Sequence, residues 1–195
     1  ARVIFNGNGY SREWVDEARR RGLPNTGNTV DSLKAFVTER SLALFEKYAV
    51  LTREELHSRY EIYVEQYAKQ INIEGRTAVN MCRKQYIPAV IEFVNGLAET
   101  VARIKHAGAF DASVSEALLG KALAKLSSVD VNLVLLEKAL DKAASEEDVT
   151  KKAEICRDEV VTALAGLRAD VDALETIMPR DLWPVPSYED ILFKL

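Results

Sequence analysis

Few side chains in this sequence are of a type and spacing that could carry chemistry. His57 and His106 are the only histidines, 49 positions apart, and neither has a cysteine or second histidine at metal-ligand spacing. Glu61 lies one helical turn beyond His57, which makes two ligands at most. Glu54-Glu55-Leu56-His57 fits the Glu-x-x-His spacing of a bundle-core metal site, but it occurs once where such sites need several helices to supply it. Glu61 and Glu65 share a helical face as an acid and base pair would, yet Lys69 continues the same row and marks a solvated charge ladder. Glu146, Glu147 and Asp148 resemble a cation cluster, and they sit where a helix start favours negative charge anyway. Gly7-Asn8-Gly9 lacks the third glycine of a dinucleotide fingerprint and the Gly-Lys-Ser/Thr of a P-loop. No nucleophile-elbow string is present, and neither Cys82 nor Cys156 stands beside a candidate base. Tyr60, Tyr63 and Tyr67 recur at helical spacing, as core or interface aromatics do. No residue is therefore assigned a catalytic, cofactor-binding or metal-binding role.

The elements that would position these residues are helices. With 195 residues, 48% of them hydrophobic, the chain can bury a substantial core, and a net charge of -4 opposes binding to a phosphate backbone. Nucleic acid is an unexpected partner, as is a membrane, since no apolar run approaches the length of a spanning helix. The start ARVIFNGNGY has no signal-peptide pattern and two cysteines are too few for a disulfide framework, so reduced thiols in a cytoplasmic protein are expected. The chain opens at Ala1 and enters a strand-like run, Val3-Ile4-Phe5, with no second strand to pair with; this predicts a piece of a longer protein.

Periodicity divides the remainder. Ser11 is the predicted N-cap of a helix over 12–21, stopped by Gly22 and Pro24. Short helices follow at 31–38 and 41–48. Thr52-Arg53-Glu54-Glu55 is a capping box that opens a helix reaching about His106, with a kink expected at Pro88 and a weak point at Gly75. Its apolar rows are Leu56, Tyr60, Tyr63 and Tyr67, then Val90, Val94, Leu97, Val101 and Ile104. Asp111 or Ser113 caps a second long helix whose seam runs Leu119, Leu123, Leu126, Val129, Leu133, Leu136, Leu140. Ser145 precedes a third with an acidic first turn, and its stripe from Val149 to Met178 is the cleanest in the sequence. Pro179, Pro184 and Pro186 make the tail extended, with a turn of helix at 188–193. The expected fold is mainly α: an elongated antiparallel bundle of three long helices (51–178), an N-terminal appendage of one strand and short helices (1–50), and a Pro/aromatic tail (179–195).

Three strings carry a resemblance. VIFNGNGYSREWVDEARRRGLPN at the start, LTREELHSRYEIYVEQYAKQINIE in the middle and LWPVPSYEDILF at the end together resemble the C-terminal portion of type III glutamine synthetases, the long-chain form of glutamate-ammonia ligase. The similarity runs from Val3 to Phe193 and is weakest between Gly108 and Ala144. It implies a parent enzyme that joins glutamate and ammonia through a γ-glutamyl phosphate, using ATP and Mg or Mn, with active sites between subunits of a ring. The family's metal and phosphate ligands lie upstream of this region, so none maps onto a residue here and the segment alone is predicted inactive. Two roles follow: a structural part in assembly with other subunits of the same enzyme, or a docking module for a regulatory protein, with Leu182-Trp183-Pro184-Val185-Pro186 as its hook.

Overall fold

The computed structural model describes residues 3–186 and 188–192. It is mainly helical, and among the described residues there is no β-strand. The expected strand at Val3-Ile4-Phe5 does not form, because nothing supplies a pairing edge. Instead the Phe5 ring stacks on Trp14 at 4.8 Å, and Arg21 donates a hydrogen bond of 2.6 Å to the Ile4 carbonyl. Val3 and Ile4 stay exposed.

Two compact units are present, Ala1–Tyr67 and Ala68–Leu195. In the first, each short helix starts on a side-chain cap. Ser11 accepts from the Trp14 N–H at the start of α1 (Arg12–Arg20), Asn28 from Asp31 N–H at α2 (Thr29–Phe36), and Thr38 from Ser41 N–H at α3 (Glu39–Lys47). Gly22 stops α1 in the left-handed region at φ 66°. The capping box is complete: Thr52 N–H donates to the Glu55 carboxylate at 2.7 Å, Glu55 N–H returns the bond to Thr52 Oγ1 at 3.2 Å, and α4 (Arg53–Met81) begins there. Arg53 ties that start to Glu39 and Glu46 of α3. The expected row on this part of α4 is buried at Leu56 and half-buried at Tyr60 and Tyr67, but it fails at Tyr63. Leu56 and Val64 are fully buried, whereas Tyr63 is exposed and only edges onto Phe36.

Helix continues past Met81, but its bonding changes. Over Cys82–Tyr86 the backbone forms a π turn, in which Ile87 N–H reaches back five residues to the Cys82 carbonyl, before α5 (Ile87–Ala107) resumes. Pro88 fits this turn, although the second π turn of the chain, at Cys156–Val160, has no proline just after it. In an unbroken α-helix its ring would press on the Lys84 carbonyl and leave it without a donor; after the wide turn Pro88 is the second residue of a new helix, where a missing N–H costs little. The proline expected to kink the helix thus stands just past the wide turn.

Gly108, at φ 137°, ends α5, and α6 (Ser113–Ser145) follows, its first N–H bonded to the Asp111 carboxylate at 2.9 Å. Helix α6 packs on both α5 and α8. Its direction against the α4–α5 stretch is set out by ion pairs Arg76–Asp141, Arg83–Glu137 and Lys105–Glu116, in which one number rises as the other falls. The same holds for Lys142–Glu159 and Lys125–Asp170 on its other side, so α6 is antiparallel to both neighbours. Val129, Leu133, Leu136 and Leu140 are buried as the heptad requires, but Leu123 is 45% exposed and Ala122 takes its place in the core.

The expected third long helix is not a single element, so the bundle of three long helices does not hold as predicted, and this stretch begins three residues later than its acidic cluster suggests. Asp148 is the cap of α7 (Val149–Ile155), accepting from Lys151 N–H, and Glu146 accepts from the Asp148 N–H, so the three acids precede the helix and do not form its first turn. A second π turn, Cys156–Val160, leads into α8 (Val161–Glu175). Beyond it Met178 is buried, Arg180–Leu182 forms a 3-10 turn against α5, and α9 spans Tyr188–Leu192, Phe193 lying outside the described residues.

Gly75 is a point of close approach and not a weakness. A Cβ there would lie 2.8 Å from Cδ2 of Leu140, which is itself fully buried. Gly75→Ala should therefore lower stability although alanine favours helix: overpacking of about 1–3 kcal/mol outweighs a propensity gain of about 1 kcal/mol. Thermal unfolding should show a midpoint about 3 °C lower, and a midpoint equal to or above that of the wild type would mean that Leu140 moves aside freely.

Candidate functional site

The residues singled out by type do not converge. His57 and Glu61 are exposed on α4, as are Glu65 and Lys69, and His106 is exposed near the end of α5. Among the described residues no three of His, Cys, Asp and Glu are grouped so as to hold a metal ion. Gly7-Asn8-Gly9 is used up in local capping: the Asn8 side chain accepts from Tyr10 N–H, and Ser11 Oγ donates to the Asn8 carbonyl. Neither glycine has a positive φ.

Both cysteines lie at the starts of the two π turns, and both are buried. Burial pushes the Cys82 thiol up to about 11, and it raises Cys156 too, only partly opposed by the charge of Lys152. A nucleophile needs the thiolate, which these surroundings disfavour. Cys82 borders a cavity of about 620 Å³, also lined by Ile71, Met81, Tyr86, Leu164 and Arg168. The ring of Tyr86 carries Trp183 at 5.1 Å, so the aromatic residue of the tail is laid on its own chain. Its indole N–H is enclosed without an acceptor.

The most organised polar group was not among the sequence candidates. Asp170, on α8, is 6% exposed. One carboxylate oxygen accepts from Lys125 Nζ at 2.8 Å, and the other from Ser128 Oγ at 2.5 Å and Asn132 Nδ2 at 2.8 Å, all three donors on α6. Asn132 in turn lies against Gly166, where a Cβ would meet its Oδ1 at 3.3 Å. Burial raises the Asp170 pKa, and the hydrogen bonds from Lys125, Ser128 and Asn132, with the Lys125 charge, reverse this and leave it below the ordinary aspartate value. The sequence signal was present: Lys125, Ser128 and Asn132 repeat at three and four positions along one flank of the α6 seam. A carboxylate already holding three donors has little capacity left for a substrate or metal, so it acts as a cross-link between helices.

The chain matches the family model described as Glutamine synthetase C-terminal domain over residues 1–105. It is 34% identical to a glutamine synthetase of Butyrivibrio fibrisolvens, covering all of this chain and 28% of that protein. The chain belongs to the glutamine synthetase family. A type-3 glutamine synthetase of Dictyostelium discoideum is 32% identical over 98% of the chain, and a glutamine synthetase of Bacteroides fragilis (strain YCH46) is 27% identical over 98%. The chain spans little more than a quarter of the length of these relatives, in their C-terminal portion, as the resemblance to the type III enzymes implied. The matched 1–105 stretch ends near the close of α5, so α6 to α9 lie beyond the family model yet within the aligned region of the relatives.

Asp170→Ala should cost about 2–4 kcal/mol in denaturant unfolding, because Ser128 and Asn132 lose their acceptor. As the folded pKa of Asp170 is depressed, its contribution is present above the unfolded value near ~3.9 and is lost as pH falls through the folded one; Asp170→Asn should flatten the loss of stability below about pH 4. An equally steep acid loss in the variant would show that the carboxylate does not hold the helices together. Separately, neither thiol should react with iodoacetamide at pH 8 in the folded chain, and both should react once it is unfolded; rapid labelling of native Cys82 would contradict its burial.

Proposed function

We propose that this chain is the non-catalytic C-terminal helical segment of a longer type III glutamine synthetase, and that its role is structural, in assembly with other copies of the same enzyme. The parent would make glutamine from glutamate, ammonia and ATP with Mg or Mn. What carries the reading is coverage: relatives named as glutamine synthetases align with the whole chain, which accounts for only 27–28% of their length. We therefore place the metal sites of that reaction outside this segment. Among the described residues no three candidate ligands are grouped, and the one buried carboxylate, Asp170, is already occupied by donors from its own chain. No catalytic step is therefore assigned to this segment.

Its proposed architecture is antiparallel: α5, α6 and α7–α8 as three rods whose apolar seams face one another. That is a scaffold, suited to holding a relative position and not to turning over a substrate. The docking-module reading has less support, since Trp183, the anchor of the supposed hook, is laid on Tyr86 of its own chain.

The 195-residue chain should form no glutamine from glutamate, ammonia and ATP, and turnover would overturn the reading. Removing the part that corresponds to 108–195 from the longer enzyme should change its native mass in sedimentation; an unchanged mass would leave the segment without a role in assembly.

A further inference from the structure

Helix α6 carries a second apolar face. Opposite the buried seam, Leu123, Val131, Val134 and Leu135 are 45%, 60%, 38% and 51% exposed. Between them the exposed positions Gly120, Ala124 and Ser127 are small. Gly120, Ala124, Ser127, Val131 and Val134 follow one another at steps of four, three, four and three, the spacing of a coiled-coil core, while Leu123 and Leu135 flank it. Lys138 and Asp141 occupy the next two core positions and end the apolar run. A helix apolar on two opposite sides is expected between partners, and α5 and α8 account for only one of them.

Charge identifies the other. Glu116, Asp130 and Glu137 lie along one flank of this face, and Lys121 and Lys142 along the opposite flank. Two copies of α6 placed antiparallel about a two-fold axis would bring acidic flank to acidic flank. Placed parallel, Glu116 faces Lys121 of the second copy and Glu137 faces its Lys142, at the five-residue offset by which charges select coiled-coil partners, while Asp130 faces the edge of Leu135. Glu116, Glu137 and Lys142 already pair with Lys105, Arg83 and Glu159, but their side chains are 44%, 33% and 57% exposed and can be shared. Gly120 and Ala124 let the two backbones approach at one end, and Val131 and Val134 fill the seam toward the other.

We propose that the outer face of α6 is a homotypic interface: it pairs in parallel, in register, with α6 of a second copy of this chain. The inference rests on the assembly role given above and names the surface that performs it.

The test uses the 195-residue chain. A seam of this length falls below the roughly 1,600 Å² of a standard interface, so sedimentation should be followed up to about 100 µM. The wild type should associate into dimers. Val131→Asp, a change at an exposed position, should sediment as monomer at every concentration with its circular dichroism unchanged. Ser127→Cys should form a covalent dimer under mild oxidation, because a parallel pair sets each residue beside its own copy; the wild type, whose cysteines are buried, should not. A wild type that stays monomeric, or a Val131→Asp variant that still dimerises, would overturn the α6 interface, and a dimer in which Ser127→Cys does not cross-link would overturn its parallel register. If dimers persist through another surface, the assembly role stands without α6; that role fails only if the deletion in the longer enzyme leaves native mass unchanged.

Discussion

Helix α6 is held between two antiparallel neighbours, and that placement constrains every residue packed against it. At 3.6 residues per turn only one side of its surface can face α5 and α8 together, so Val129, Leu133, Leu136 and Leu140 enter the core and Leu123, on the other side, cannot. The same placement brings Leu140 within 2.8 Å of where a Cβ at position 75 would lie, and Asn132 within 3.3 Å of one at 166. Burying a leucine completely is worth about 1.5–3 kcal/mol, and most of the fully buried leucines lie on α6. The seam is the main source of order in the second unit.

Apolar packing by itself tolerates sliding, because one leucine layer resembles the next. The carboxylate of Asp170 removes that freedom: it is satisfied only where Lys125, Ser128 and Asn132 all reach it, and a shift of one helical turn would strand a charge in a buried place. Along the other side of α6 the ion pairs from Arg76 to Lys105 are exposed, so each adds little stability, but their order agrees with the same register. Two classes of interaction thus divide the work, one supplying free energy and the other alignment.

Many of the chain's polar side chains serve caps, ion pairs and the Asp170 cross-link, and burial favours the neutral form of both thiols. The relatives that place the chain in the glutamine synthetase family share this region and are more than three times its length.

Local signals were legible because they are set by neighbours in the chain. The Thr52 and Glu55 capping box, the Ser11 cap and the stop at Gly22 depend only on nearby backbone donors and acceptors, and they occur where the sequence places them. The three strings that resemble the type III enzymes likewise needed no coordinates. What the tertiary structure decided are the features that depend on a partner. Val3 to Phe5 reads as a strand but has no edge to join, so it lies along α1. Leu123 and Tyr63 fit a helical stripe by spacing, and the direction from which neighbouring helices approach leaves both outside the core. Asp170 is an ordinary acidic residue in the sequence and becomes the centre of a polar network because α6 brings three donors from about forty positions away. Periodicity fixes which residues share a face, and only the packing of helix on helix determines which face is buried.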